Sequence, residues 1–219
     1  MSDNRMRIAY VHDSPLHATL DTDYRDSAQL SNLGFTDVVI SDQMSGCLYS
    51  INQELIERVD TAIDAGLGVW LMDDLFTLPS DSDAGCPGLQ ESWDITAQAI
   101  RDVIESAPQI RGLVFRYGET FDSSDYALKR VDLLRCECIH CSSMDGLTRR
   151  RKVIELLESV VCREMGKRCI LRLWDLSEDG VHANRMLQEK VLTKWAGDPR
   201  FFVSVKHTLT DYWRHQPWN

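Results

Sequence analysis

Residues 112–119 read Gly-Leu-Val-Phe-Arg-Tyr-Gly-Glu, an apolar run that ends in charged and aromatic side chains. Such a run, continuous rather than alternating with polar residues, is typical of a parallel strand covered on both faces. Further runs of the same kind begin near residues 7, 37, 68, 169 and 201. The sequence therefore predicts six buried parallel strands.

Amphipathic segments separate these runs. Apolar residues recur at helical spacing in the best of them, residues 51–65, which end at Gly66. The other predicted helices cover residues 23–33, 93–107, 147–165 and 184–195. The resulting βαβαβαβαβαβ order predicts a parallel sheet with right-handed crossovers. Longer connections after the third and fourth strands predict insertions at about 74–92 and 119–147.

A parallel sheet of this kind closes either as a (β/α) barrel or as an open doubly wound sheet. Doubly wound folds usually carry a glycine-rich phosphate turn after the first strand, but residues 12–17 read HDSPLH. Neither GxGxxG nor GxxxxGKS/T occurs in the chain. We therefore predict an α/β fold, a parallel TIM-type barrel with six of its eight βα units, as one partial domain over residues 1–219. Its two open edges predict self-association or poor solubility.

The composition argues against several classes of function. A net charge of -10, from 24 Lys+Arg and 34 Asp+Glu, repels phosphate backbones, so we expect no nucleic-acid partner. No apolar run approaches the roughly 20 residues of a membrane span, and none at the N-terminus resembles a signal peptide, so we expect no membrane partner. Seven cysteines cannot all pair within one chain, which favours a reduced, cytoplasmic protein.

Polar residues follow every predicted strand, at the end where parallel barrels place their active sites. Polar side chains also follow buried strands simply because the chain surfaces there, so the whole set carries more weight than any one member. Together they predict a pocket lined by ionisable groups and by aromatic faces for sugar rings. The predicted substrate-binding residues are His12, Asp13, Asp42, Asp73, Arg116, Tyr117, Trp174, Asp175, Lys206, His207 and Asp211.

Glu119 is the predicted catalytic residue. A glycosidase needs a protonated carboxylic acid beside the leaving oxygen and a second carboxylate across the sugar ring. Partial burial at a strand end raises the pKa of a carboxyl group, which suits the acid. The structural alternative for Glu119 is an ion pair with Arg116. Arg116 itself can orient the substrate or hold a substrate carboxylate in a bidentate contact.

A cysteine cluster lies in the second predicted insertion, where residues 136–141 read Cys-Glu-Cys-Ile-His-Cys. Thiols this close together can supply most of a structural tetrahedral zinc site, although the predicted chemistry itself requires no cofactor. Reduced thiols packed in the loop, or a disulfide, are the alternatives. The predicted zinc ligands are Cys136, Cys138 and Cys141, with a fourth from Cys86, Cys47 or His140.

These motifs together resemble a known family. Residues 112–119 resemble the fourth-strand segment of glycoside hydrolase barrels related to α-glucuronidases, in which a CxCxxC loop recurs after that strand. Residues 170–174 resemble the fifth strand of these barrels, and residues 203–208, with Asp211 and 217–219, resemble their sixth strand and loop.

The resemblance, carried by short motifs over most of residues 66–219, implies a hydrolase of oligosaccharides, including uronic-acid-bearing ones, with Glu119 as the general acid/base. In many sugar-cleaving barrels an Asn precedes this Glu, where the present chain has Gly118, and the nucleophile lies on a seventh strand. The alternatives are therefore a non-catalytic carbohydrate-binding barrel or an inactive barrel fragment. A third hypothesis, which lacks the usual His-x-His motif, is a metal-dependent hydrolase that uses Asp13, Asp73 and His207.

Overall fold

The computed structural model describes residues 6–13, 26–42, 51–74, 77–79, 86–117, 128–130, 138–173, 181, 184–195 and 197–205. Six parallel strands form its main sheet, and each coincides with a predicted strand. They are β1 (Ile8–Asp13), β2 (Asp37–Asp42), β3 (Gly68–Asp74), β5 (Gly112–Tyr117), β7 (Arg168–Leu173) and β8 (Phe201–Val205). A second sheet is an antiparallel pair, β4 (Thr77–Pro79) with β6 (Leu128–Arg130).

The order of the strands distinguishes a (β/α) barrel from an open doubly wound sheet. The main sheet runs β1-β2-β3-β5-β7-β8, so each new parallel strand is added beside the previous one. A doubly wound sheet reverses direction and keeps its first strand inside the sheet, whereas a (β/α) barrel adds strands in one direction. The described strands are therefore consecutive units of a (β/α) barrel.

The helices lie in the crossovers, as the periodicity predicts. They are α1 (Ser27–Asn32), α2 (Gln53–Asp64), α3 (Gln90–Ser106), α4 (Gly146–Leu157) and α5 (Arg185–Leu192). Four of them begin at a side chain that accepts a hydrogen bond from a first-turn N–H, which offsets the unpaired donors of a helix start. These N-caps are Asp26, Asn52, Asp145 and Asn184.

The predicted helix over residues 147–165 differs in one respect. It is α-helical only to Leu157 and continues as a π-helical segment over Glu158–Glu164. The hydrophobic period of about 3.6 residues does not distinguish this wider turn, because the same side chains still face the core. The change is therefore invisible in the sequence pattern.

Each face of the main sheet packs a separate core. The larger core lies between the sheet and the helices and includes alternate strand residues such as Leu71, Phe115 and Leu171. The smaller core lies on the opposite face and contains Val39, Trp70, Met72, Val114 and Ile170. Since side chains alternate between the two faces of a strand, the second set marks the interior of the barrel.

The sheet is curled about this interior face. The Arg172 guanidinium of β7 lies 5.7 Å from the ring centroid of Tyr10 on β1. Four strand spacings separate β1 from β7, which in a flat sheet would place the two strands roughly 19 Å apart. Only a curved sheet brings these two side chains together, so the six strands form an arc of a barrel.

β4 and β6 were not predicted. Each is three residues long, too short to show a periodic pattern, and each lies in one of the two predicted insertions. Their pairing joins the insertion after β3 to the insertion after β5.

Within the described ranges β1 pairs only with β2, and β8 only with β7, so self-association through these edges stays a prediction. No helix in the described part of the chain is long and apolar enough to cross a bilayer.

Candidate functional site

The register of the main sheet brings the predicted strand-end residues that the structure describes to the same end of the sheet. Asp13 of β1 lies opposite Asp42 of β2, and Asp74 of β3 lies opposite Arg116 of β5. Tyr117 follows at the end of β5, opposite Leu173. Because all six strands are parallel, their carboxyl ends share the face on which barrels place their active sites. For His12, Asp13, Asp42 and Tyr117 the structure describes the position in the strand and not the side chain.

The remaining strand-end predictions lie outside the described residues. They are Glu119, Trp174, Asp175, Lys206, His207 and Asp211. Their roles in substrate binding and catalysis therefore stay predictions.

Two buried arginines stand side by side on the interior face. Arg116 of β5 is directly opposite Arg172 of β7, and the two residues are 7% and 9% exposed. Both alternate with interior residues, Arg116 following Val114 by two positions and Arg172 following Ile170 by two. Neighbouring residues on one face of a sheet lie about 5 Å apart, so the two side chains emerge next to each other. Two guanidinium groups in a low-dielectric interior attract an anion strongly.

Arg172 spans the interior. Its Nη1 lies 3.8 Å from the Met72 sulfur on β3, and its guanidinium lies over Tyr10 on β1. Contact with an aromatic face stabilises a guanidinium group and fixes its plane. The side chain is thereby held in position, which lowers the entropy lost when it binds a ligand. Sequence reasoning missed Arg172 and Tyr10 as site residues, although a charged residue inside an apolar strand was the available signal.

Asp73 occupies a different place from the two arginines. It lies opposite Phe115 in the ladder and alternates with Met72, so it shares the face of Leu71 that packs against the helices. It is 6% exposed. The structure therefore brings Arg116 and Arg172 together and does not place Asp73 beside them. Its predicted role in substrate binding stays a prediction.

A second polar cluster lies at the opposite end of the barrel. Asp37, at the start of β2, is completely buried and accepts hydrogen bonds from Trp70 Nε1 at 2.9 Å and from Thr36 Oγ1 at 2.6 Å. Arg111 Nη1 also donates to it at 2.8 Å and forms an ion pair. In (β/α) barrels, polar clusters at the amino ends of the strands serve stability. Asp37 therefore anchors the interior tryptophan and joins β2 to the turn before β5.

Three of the cysteines named in the sequence analysis lie together in the described part of the chain. Cys138 and Cys141 are predicted ligands, and Cys86, from the other insertion, is one of the candidates for the fourth. Cys86 Sγ lies 3.2 Å from Cys138 Sγ and 3.5 Å from Cys141 Sγ. All three are free thiols, so the disulfide alternative is not realised among them. Cys136 and Cys47 lie outside the described residues, and His140 is exposed.

Comparisons with known proteins bear on the fold. No protein-family model and no curated protein sequence matches the chain. Among solved structures it resembles the galactosidase domain of the α-galactosidase-sucrose kinase AgaSK, with a TM-score of 0.52 at 13% identity, covering 78% of this chain and 27% of that one.

It also resembles the GH36 α-galactosidase AgaA of Geobacillus stearothermophilus, in complex with 1-deoxygalactonojirimycin, with a TM-score of 0.51 at 11% identity. This match covers 77% of the present chain and 28% of the other. A further structure of AgaA, with a TM-score of 0.51 at 11% identity, holds stachyose and covers 76% of this chain and 27% of that one. The chain thus spans little more than a quarter of the length of these proteins, and at such identities the likeness establishes a shared (β/α) barrel fold.

Proposed function

We propose that this chain is a glycoside hydrolase-like barrel that acts on oligosaccharides bearing a uronic acid. The observation that carries the proposal is the pair of buried arginines, Arg116 and Arg172, on the interior face near the carboxyl ends of β5 and β7. A uronic acid differs from a neutral sugar by one carboxylate. Planar guanidinium groups bind a carboxylate through two parallel hydrogen bonds, and burial strengthens the attraction.

Glu119 is the proposed general acid/base. It follows Arg116 by three residues, at the strand end where barrel enzymes place catalytic groups. In this proposal the two arginines bind the substrate carboxylate and orient the sugar ring. Glu119 then protonates the departing glycosidic oxygen, and a second carboxylate completes the reaction as nucleophile or base. The similarity in fold to α-galactosidases supports a sugar substrate, and Tyr10 offers an aromatic face beside the arginines.

The test is the substitution Glu119→Gln in the full chain. The amide cannot donate the proton, so we expect turnover of uronic-acid-bearing oligosaccharides to fall by at least roughly 100-fold while their affinity stays near that of the wild type. The matched control is Glu91→Gln, which removes an exposed carboxylate on α3. Turnover that survives Glu119→Gln unchanged would exclude the acid role.

The second candidate is a carbohydrate-binding barrel without catalysis. The observation in its favour is Gly118, which occupies the position where many sugar-cleaving barrels have an asparagine. The wild-type protein distinguishes the two candidates, because a hydrolase cleaves the oligosaccharide whereas a binding barrel leaves it intact.

The cytoplasmic location stays a prediction, consistent with the free thiols of the described cysteines.

A further inference from the structure

Three thiols from two segments that are distant in the sequence converge in the fold. Cys86 precedes α3, whereas Cys138 and Cys141 precede α4, and 52 residues separate Cys86 from Cys138. Their sulfur atoms all lie within 4.8 Å of one another. In a tetrahedral zinc site with Zn–S bonds of about 2.3 Å, ligand sulfurs lie about 3.8 Å apart. The observed spacing therefore lets one ion contact all three atoms.

Both segments have the tight turns that point sulfur atoms toward a common centre. The Cys141 N–H donates to the Cys138 carbonyl at 3.0 Å, and the Leu89 N–H donates to the Cys86 carbonyl at 3.0 Å. The Gly88 N–H donates to the Cys86 sulfur. These turns hold each thiol in place before any ligand binds.

The two turns also pack directly against each other. A Cβ atom on Gly88 would lie 2.5 Å from the carbonyl carbon of His140 and 2.6 Å from its oxygen, so only glycine permits this approach. The buried Arg149 fixes the turn that contains Cys138 and Cys141, because its guanidinium donates to the carbonyls of Cys141 and Met144. Its positive charge also suits a site whose three thiolates outweigh the charge of a divalent ion.

We propose that Cys86, Cys138 and Cys141 bind one zinc ion that clips the two insertions together. The site is structural, and it shares no residue with the arginine pair of the proposed sugar site. Together with the β4–β6 pair, the bound zinc ion links the connection after β3 to the connection after β5. These are the connections that leave the strand ends carrying Asp73 and Arg116, so the ion supports the rim of the barrel.

The experiment uses the full chain purified without chelators. We expect elemental analysis to find one zinc per chain, and Co²⁺ in its place to give the absorption of a tetrahedral thiolate complex. Cys86→Ser should weaken zinc binding at least roughly tenfold in competition with a chromophoric chelator. The matched control is Cys162→Ala, which removes a buried thiol outside the cluster and should leave zinc binding unchanged.

The proposal is overturned if the protein binds less than a stoichiometric amount of zinc with free metal supplied, or if Cys86→Ser binds it as tightly as the wild type. A Cys86–Cys138 disulfide in protein isolated under reducing conditions would also overturn it. Because these readouts are independent of sugar turnover, they remain decisive whether or not the proposed hydrolase function holds.

Discussion

The guanidinium of Arg172 on β7 lies 5.7 Å from the ring of Tyr10 on β1, although three other strands separate them in the sheet. This contact crosses the concave side of the barrel. It places a buried positive charge against an aromatic face, with Arg116 on the adjacent strand. An anionic group and a sugar ring would each find a complementary partner there.

Arg172→Met should weaken the binding of a uronic-acid-bearing oligosaccharide by about 10-fold or more, because a charge-assisted hydrogen bond contributes about 1.5–3 kcal/mol. Methionine keeps much of the apolar stem, so the fold should persist. Isothermal titration calorimetry measures the affinity. Arg101→Met is the control, since Arg101 forms an exposed ion pair with Glu164 on the outer surface. Equal losses in the two variants would contradict a specific role for Arg172.

Asp37→Ala should lower the free energy of unfolding by about 2–4 kcal/mol, because it leaves the buried Trp70 N–H without its acceptor and breaks the ion pair with Arg111. Urea denaturation followed by tryptophan fluorescence measures the change. Asp60→Asn, which alters a single exposed contact with Gln109, should cost under about 1 kcal/mol. The sugar affinity of the folded Asp37→Ala protein should be unchanged. A large loss of sugar affinity would show that the amino-terminal end of the barrel also shapes the sugar site.

Cys162 should resist alkylation in the folded protein at pH 8. Burial raises its thiol pKa to about 12 from an ordinary value of 9.0, so almost no thiolate is present. Because the folded pKa is the higher one, this thiol costs no stability below about pH 9, but it destabilises the fold progressively as the pH rises from there toward 12. Mass spectrometry of iodoacetamide-treated protein reads the modification. Labelling as fast as in urea would contradict the burial.

Gly88→Ala should weaken zinc binding without removing a ligand, because the added methyl group would collide with the His140 backbone and push the turns apart. The chelator competition described for the zinc site measures the effect. Gly66→Ala is the control, since Gly66 has a φ of 83° and no atom near its missing Cβ. It should lower stability by about 1 kcal/mol and leave zinc affinity unchanged. Unaltered zinc affinity in Gly88→Ala would contradict the role of the close contact.

The sequence predicted the main architecture because that architecture depends on local patterns. A strand buried on both faces must be apolar throughout, and runs such as residues 68–72 and 112–116 satisfy this. Helix spacing and caps are equally local. β4 and β6 were missed because three residues carry no period, and their pairing depends on two segments about 50 residues apart.

The candidate site was less predictable because it depends on which residues meet across the curved sheet. The alternation of β3 places Asp73 on the face opposite Arg116, which a list of strand-end residues does not reveal. Arg172 was overlooked because it interrupts an apolar run and reaches β1 only through the curl. Cys86 was one of several candidates for the cysteine cluster, since spacing alone relates only neighbouring cysteines.

The measurement that tests the central claim most directly is a pair of calorimetric titrations of the wild-type full chain. One uses an oligosaccharide that ends in a uronic acid, and the other its neutral counterpart, in which the carboxylate is reduced to a primary alcohol. We predict that the acid binds at least roughly tenfold more tightly and that Arg172→Met abolishes the difference. Equal affinity for the two sugars, or no binding of either, would contradict the proposal that Arg116 and Arg172 recognise a sugar carboxylate.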